Sequence, residues 1–287
     1  MSAARIIAVA NQKGGVGKTT TAVNVAACLA ASERRTLLID LDPQGNASSA
    51  LGEVKTTRHI YSALLGECTL AEVVLGTDLE YLSLVPAGPD LVGAEIELVN
   101  AEERERKLEW ALASVVDRYE YILIDCAPSL GILTINALTA ADSILVPLQC
   151  EYYALEGLAR LLETTELVRG SLNPELALEG IVLTMVDLRN NLSRQVEAEV
   201  REHFGERVFQ TRIPRNVRLS EAPSHGLPIL LYDIHSRGAV AYLQLTEELL
   251  TAHAESQGVS TSSQTAPAAS ATSGESLRSG GNDERTA

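Results

Sequence analysis

Residues 13–20 read Lys13-Gly14-Gly15-Val16-Gly17-Lys18-Thr19-Thr20, and the fold follows from where this stretch stands. Before it, Arg5–Asn11 (RIIAVAN) is a short apolar run of the kind that forms a strand covered on both faces. After it, TTTAVNVAACLAAS places apolar residues at helical spacing. A glycine turn between strand and helix lets successive backbone N–H groups point inward and cradle phosphate oxygens. The helix N-terminus beneath adds partial positive charge. In such a loop Lys18 reaches the β- and γ-phosphates and the Thr19 hydroxyl ligates Mg2+. The pattern GxxxxGK[ST] is not met, because Gln12 stands six places before Lys18. Instead a second lysine, Lys13, precedes Lys18 by five. The chain has only four lysines (Lys13, Lys18, Lys55 and Lys107) against nineteen arginines, so two within one short loop mark a chemical task rather than generic surface charge.

Working outward, Thr36–Asp40 (TLLID) and Tyr121–Asp125 (YILID) are apolar runs that end in an acid. Ser143–Pro147 (SILVP) and Gly180–Met185 (GIVLTM) read as further strands, and Glu102–Arg118 and Tyr153–Arg169 as helices. Alternating strands and helices predict an α/β fold with a mostly parallel central sheet and helices on both faces. Such sheets bind ligands at the carboxyl ends of their strands, where Asp40, Asp42, Asp125 and the glycine loop fall. One domain is expected over 1–254. From Glu255 to Ala287 the composition turns to Ser, Thr, Ala and Gly, which predicts a disordered tail.

At 287 residues, 46% hydrophobic and 21% charged, the chain is neither collagenous, wholly disordered nor a disulfide-stapled mini-protein. Its net charge of −15 excludes attraction of the whole molecule to nucleic acid or an anionic membrane, so any such binding needs a local basic patch. No signal peptide and no bilayer-spanning run is expected. Cys28, Cys68, Cys126 and Cys150 fit neither a disulfide framework nor a metal pattern, and are expected as buried free thiols in a reducing cytoplasm.

The loop KGGVGKTT resembles the deviant Walker A motif of the ParA/MinD class of P-loop ATPases. The resemblance implies that Lys13 crosses a dimer interface to the nucleotide of a second subunit, where it offsets charge on the transferred phosphoryl group. By the same resemblance Gly14, Gly15, Val16, Gly17, Lys18, Thr19 and Thr20 bind the phosphates of ATP. Asp40, Asp125 and Thr19 attend Mg2+, and Asp42 positions the attacking water. The segment CAPSLG after Asp125 is similar to the family's second switch, with Ala127 replacing a proline. An NKxD-like guanine element is missing, since the corresponding place reads Thr184-Met185-Val186-Asp187, which favours adenine. Met185, with Pro214 and Asn216 in the family's base-contacting loop, are the adenine candidates.

DPQGNASSALG, GAEIELV, DCAPSLGILTINALTAAD, PLQCEYYALEGL and IPRNVRLSEAPSHGLPI extend the resemblance from about residue 5 to about residue 250, to the ParA/Soj partition ATPases. That resemblance implies an ATP-dependent homodimer that binds double-stranded DNA without sequence preference. It further implies a weak ATPase stimulated by a ParB-like centromere-binding protein, and a cytoplasmic, nucleoid-associated location. DNA contacts map onto Arg189 and Arg218, with Arg194 and Arg215 nearby; between Gln210 and Ser220 there are arginines and no acid. No helix-turn-helix precedes the first strand, so operator binding is not expected. The alternative is a MinD-like membrane-associated ATPase, which needs a basic amphipathic C-terminal helix where AVAYLQLTEELLTAHAE is acidic. A nitrogenase-type iron–sulfur reductase needs bridging cysteines, which neither Cys126 nor Cys28 resembles, and a tyrosine autokinase needs a Tyr-rich tail, where this tail has no tyrosine.

Overall fold

A computed structural model describes residues 4–52, 56–187 and 189–262. The chain runs β1 (Arg5–Val9), α1 (Lys18–Ala31), β2 (Thr36–Leu41), α2 (Asn46–Ser49), α3 (Ile60–Leu64), β3 (Leu75–Gly76) and β4 (Leu82–Val85). It continues through α4 (Leu91–Glu97), α5 (Lys107–Leu112), β5 (Tyr121–Cys126), α6 (Ile132–Ala140), β6 (Ser143–Gln149) and α7 (Ala154–Ser171). The last elements are β7 (Ala177–Val186), α8 (Asn191–Phe204), β8 (Val208–Pro214), α9 (Val217–Glu221), α10 (Ile229–Tyr232) and α11 (Arg237–Ser262). Eight strands form one sheet in the order β3-β4-β2-β5-β1-β6-β7-β8. Its pairings are parallel except for the short β3–β4 contact.

The sheet is buried on both sides, as its apolar runs require. Ala8, Leu37, Ile39, Ile122, Ile124, Ile144 and Val146 share one core cluster with Leu133, Ala137 and Leu138 of α6. The alternate residues Ile7, Val9, Leu38, Leu123 and Leu145 are equally buried and point to the opposite face. There α1 packs, touching β1, β2, β4, β5 and β6. The strand order explains how distant residues meet. From β1 the chain crosses to β2 on one side and later fills the gap with β5, so the carboxyl ends of β2, β5 and β1 lie side by side.

Two stretches differ from the expectation. Glu102–Arg118 is not one helix but α5 flanked by 3-10 turns at Arg104–Arg106 and Val116–Arg118. Asn136 of α6 intervenes: its Nδ2 donates to the Arg104 carbonyl at 2.8 Å, and its Oδ1 accepts from the Leu108 N–H at 3.1 Å. Residues 4–249 belong to one compact unit, in which α11 buries Ala239, Tyr242, Leu245 and Leu249. The segment from Leu250 is a second unit, helical through Ser262 and so beyond the boundary set by composition at 254. The rest of the Ser/Thr/Ala/Gly-rich segment, 263–287, lies outside the described residues. All four cysteines are free thiols; Cys28, Cys126 and Cys150 are buried and Cys68 is half-buried.

Candidate functional site

Residues 10–17 join β1 to α1. Gly15 and Gly17 take φ of +74° and +90°, a backbone region that a Cβ disfavours, so the loop's curl depends on them. Gly17 caps α1 with no side-chain acceptor, which leaves the first-turn N–H groups directed at the loop interior. The loop is fastened from two neighbouring strands. Asn11 Nδ2 donates to the Pro147 carbonyl at 2.7 Å while its Oδ1 accepts from the Lys13 N–H at 3.0 Å. The Thr184 hydroxyl donates to the Val16 carbonyl at 2.7 Å.

The two lysines face different ways. Lys18 is 6% exposed, and its Nζ donates to the Lys13 carbonyl at 3.0 Å. Burial lowers its pKa, against the pull of Asp125 and Asp42. Lys13 instead leaves the loop, its Nζ 2.5 Å from Glu151 Oε2, and Gln149 Nε2 holds the other Glu151 oxygen at 2.6 Å. One ammonium is inside the site and the other on its rim.

Beneath Lys18 the carboxylates converge. Asp40 and Asp125 are register partners on the adjacent strands β2 and β5, and both are fully buried. Asp40 Oδ2 accepts from the Ser48 N–H at 2.7 Å and the Ser48 hydroxyl at 2.6 Å, and its Oδ1 accepts from the Asp42 N–H at 3.2 Å. Burial still pushes its pKa up to about 6, Ser48 and the Asp42 N–H opposing and the Asp42 charge adding. Among the described residues neither carboxylate oxygen of Asp125 has a partner in hydrogen-bonding geometry, although the Thr19 hydroxyl lies near enough to act on it. Burial first, and then the Asp40 charge, hold its carboxyl well above the usual range; Thr19 and Lys18 pull the other way.

A buried carboxylate with two orphan oxygens fits a cation. Asp125, Asp40 and Thr19 offer only oxygen, the donor type Mg2+ takes. Among the described residues no group of three or more His, Cys, Asp or Glu forms a cage. These residues therefore supply part of a shell, which suits an ion shared with phosphate oxygens. The pH dependence has a definite sign. Folding raises the Asp40 pKa from 3.8 to about 6, so its contribution to stability is present at lower pH and is lost as pH rises through about 6. A divalent cation held by the ionised carboxylates would restore it. Millimolar MgCl2 should raise the melting temperature more at pH 8 than at pH 5; an equal rise at both would overturn the assignment.

Met185 ends near the loop, its methyl 4.0 Å from where a Cβ on Gly17 would sit, and it holds a left-handed φ of +51°, uncommon for a non-glycine residue. Pro214 pairs with Val186 at the end of β8, so the β7 and β8 tips bring the three adenine candidates to one edge. Asn216 caps α9, its Oδ1 accepting from the Arg218 N–H at 2.8 Å.

The arginine stretch is less bare than its sequence. Arg212 pairs with Glu197 at 2.6 Å, and Arg218 with Glu221 at 2.9 Å and Asp233 at 3.6 Å, acids supplied by neighbouring elements and by the next turn. Arg189 makes a two-pronged contact with Asp187 at 2.9 and 2.8 Å, yet its side chain is 91% exposed. Arg194 bonds Asn191, and Arg215 is exposed without an ion pair among the described residues. Sequence reasoning missed Ser48, Asn11, Thr184 and Glu151. Ser48 follows the acid-tipped β2 within DPQGNASS and was legible as a polar partner; Glu151, 138 residues from Lys13, carried no such signal.

Comparison with known proteins places the chain in a family. The AAA domain family matches residues 4–178. The chain is 59% identical over 248 residues to the chromosome partitioning protein ParA of Myxococcus xanthus, covering 86% of this chain and 88% of that protein. It is 56% identical over 247 residues to the sporulation initiation inhibitor protein Soj of Bacillus subtilis, covering 85% and 98%. Among solved structures, the cobyrinic acid a,c-diamide synthase of Mycobacterium smegmatis with bound ADP and magnesium superposes with a TM-score of 0.77 at 39% identity, covering 88% and 96%. A putative plasmid partition protein of Borrelia burgdorferi bound to AMPPNP gives 0.75 at 26% identity, covering 87% and 99%. With more than half its residues shared across the unit that carries the phosphate loop and its carboxylates, the chain belongs to the ParA/Soj family of chromosome-partitioning ATPases.

Proposed function

We propose that the chain is an ATP-dependent DNA-partition switch. With ATP and Mg2+ it forms a homodimer that binds double-stranded DNA without sequence preference. Hydrolysis, weak alone and stimulated by a ParB-like centromere-binding protein, releases it and so moves ParB-bound DNA. The observation that carries this reading is Asp125, a fully buried carboxylate beside Lys18 and Thr19 whose oxygens, among the described residues, have no partner in hydrogen-bonding geometry. Such electrostatics favour a polyphosphate entering with its cation and disfavour the empty site.

In this reading Gly14–Thr20 wrap the phosphates, Lys18 meets the terminal ones, and Thr19, Asp40 and Asp125 hold Mg2+. The ion, when bound, neutralises phosphate charge. Asp42 orients the attacking water; its own Oδ1 is steadied by the Gln44 N–H at 3.0 Å. Met185, Pro214 and Asn216 form the edge against which adenine lies. Lys13 serves the nucleotide of the second subunit. Arg189, Arg194, Arg215 and Arg218 supply phosphate contacts, which dimerisation doubles. Their acidic neighbours Asp187 and Glu221 are half-buried but still reached and screened by water, so a DNA phosphate displaces them at low salt.

Co-sedimentation tests the reading against the membrane alternative. With ATP, and not with ADP, the protein should pellet with DNA fragments and not with anionic liposomes. Asp42→Ala should stay with the DNA as phosphate release falls by about 10²- to 10⁴-fold. Pelleting with liposomes instead would replace DNA by a membrane as the partner.

A further inference from the structure

Helix α4 and the 3-10 turn that follows it, Leu98–Asn100, carry two apolar stripes. Leu91, Ala94 and Leu98 are wholly buried. Val92, Ile96 and Val99, also at helical spacing, are 56%, 73% and 51% exposed. A surface helix ordinarily turns a polar face to water. Here three β-branched side chains line the outer face over about 10 Å. Their surroundings are acidic on balance: residues 87–105 hold Asp90, Glu95, Glu97, Glu102, Glu103 and Glu105 against one cation, Arg104, which donates to the Val99 carbonyl at 2.7 Å and pairs with Glu105 at 2.8 Å. Asp90, Glu97 and Glu102 are exposed. An apolar line set in acid is complementary to a segment that presents apolar side chains flanked by Lys or Arg.

This surface is wired to the nucleotide site. The Ala87 N–H, just before α4, donates to Ser48 Oγ at 3.0 Å, and that hydroxyl donates to Asp40 Oδ2 at 2.6 Å. The connecting loop has little slack. The Ile60 N–H donates to the Pro86 carbonyl at 3.0 Å, and a Cβ on Gly88 would come within 2.5 Å of the His59 ring. A shift at the start of α4 therefore reaches the Asp40 carboxylate through two hydrogen bonds.

We propose that the Val92–Ile96–Val99 stripe docks a cationic, amphipathic segment of the stimulating partner, and that docking acts on Asp40 through Ala87 and Ser48. The proposal rests on the partner-stimulated reading above and adds where and by what chemistry the partner is held. A partner that binds better when Ser48 is displaced shifts the site toward that arrangement.

The test uses the full chain with ATP, Mg2+ and a purified ParB-type protein from the same genome, reading phosphate release, partner affinity and ATP-dependent dimerisation. Ile96→Glu places a charge at an exposed helix position, so folding, basal turnover and dimerisation should match the wild type. The partner concentration for half-maximal stimulation should rise about thirtyfold or more, as for a central interface anchor. Ile96→Leu should restore it, and added salt should weaken the wild-type response. Unchanged stimulation of Ile96→Glu would overturn the docking site alone. Loss of dimerisation would assign the stripe to a second copy of the chain and overturn the occupant. A wild-type chain that the partner never stimulates would overturn the partition reading, and this occupant with it.

Discussion

Lys13→Ala should lower ATP turnover by about 10³-fold or more while leaving nucleotide binding within a few-fold of the wild type. The interior of the phosphate loop already holds an ammonium, that of Lys18, tied to the Lys13 carbonyl. The Lys13 side chain points outward to Glu151, on the connection from β6 to α7. Its charge is thus spare in the single subunit and available to a second one. In the proposed dimer that second nucleotide would gain what an arginine finger supplies, a cation at the transferring group, which accelerates phosphoryl transfer by about 10³- to 10⁵-fold. The Lys13–Glu151 pair does not forbid the transfer, since both side chains are partly exposed at 35% and 48% and water screens their attraction. Phosphate release at saturating ATP, set beside fluorescent-nucleotide titration, separates the two quantities. Turnover that survives the substitution would remove the reason for hydrolysis to depend on pairing.

The parts of this molecule that announce themselves in the sequence are those whose physics is local. β1, β2, β5, β6 and β7 are covered on both faces and so appear as unbroken apolar runs. The phosphate loop is equally plain, because a Cβ disfavours the backbone at Gly15 and Gly17 and glycine is what the sequence shows there. β8 was hidden: as an edge strand it alternates buried and exposed residues, and Gln210, Thr211 and Arg212 give it a loop's polarity. The break in the helix over 102–118 depends on Asn136, a residue from another element that captures the Arg104 carbonyl. Long-range pairings were the least legible. Asp40 and Asp125 become neighbours only once the strand order puts β5 beside β2, and the acids that pair with Arg212 and Arg218 include Glu197 and Asp233. In α4, the apolar residues of LVGAEIELV exceed what one buried stripe needs, and which of them face water is decided by packing.

Lys18→Ala should remove nucleotide binding, by about two to four orders of magnitude, without unfolding the chain. Lys18 is nearly buried and lies within the fields of Asp125 and Asp42, which act to keep it charged. Deleting one member of a buried charge cluster costs about 3–5 kcal/mol, because the remaining charges lose their compensation. In the free protein this cost is moderated, since Asp125 already sits well above the usual carboxylate range and can take up a proton. Desolvating Lys18 was itself unfavourable, and that penalty disappears with it. A polyphosphate has no such escape: it would approach the carboxylates of Asp40, Asp42 and Asp125 with no interior cation from the protein. The expected result is therefore a melting temperature close to that of the wild type together with a flat nucleotide titration. Persistent binding would show that the backbone N–H groups and the metal suffice, and would take from Lys18 the role its burial assigns. Lys13→Ala and Lys18→Ala, five residues apart on one loop, should thus fail in opposite ways, the first binding without turning over and the second never binding at all.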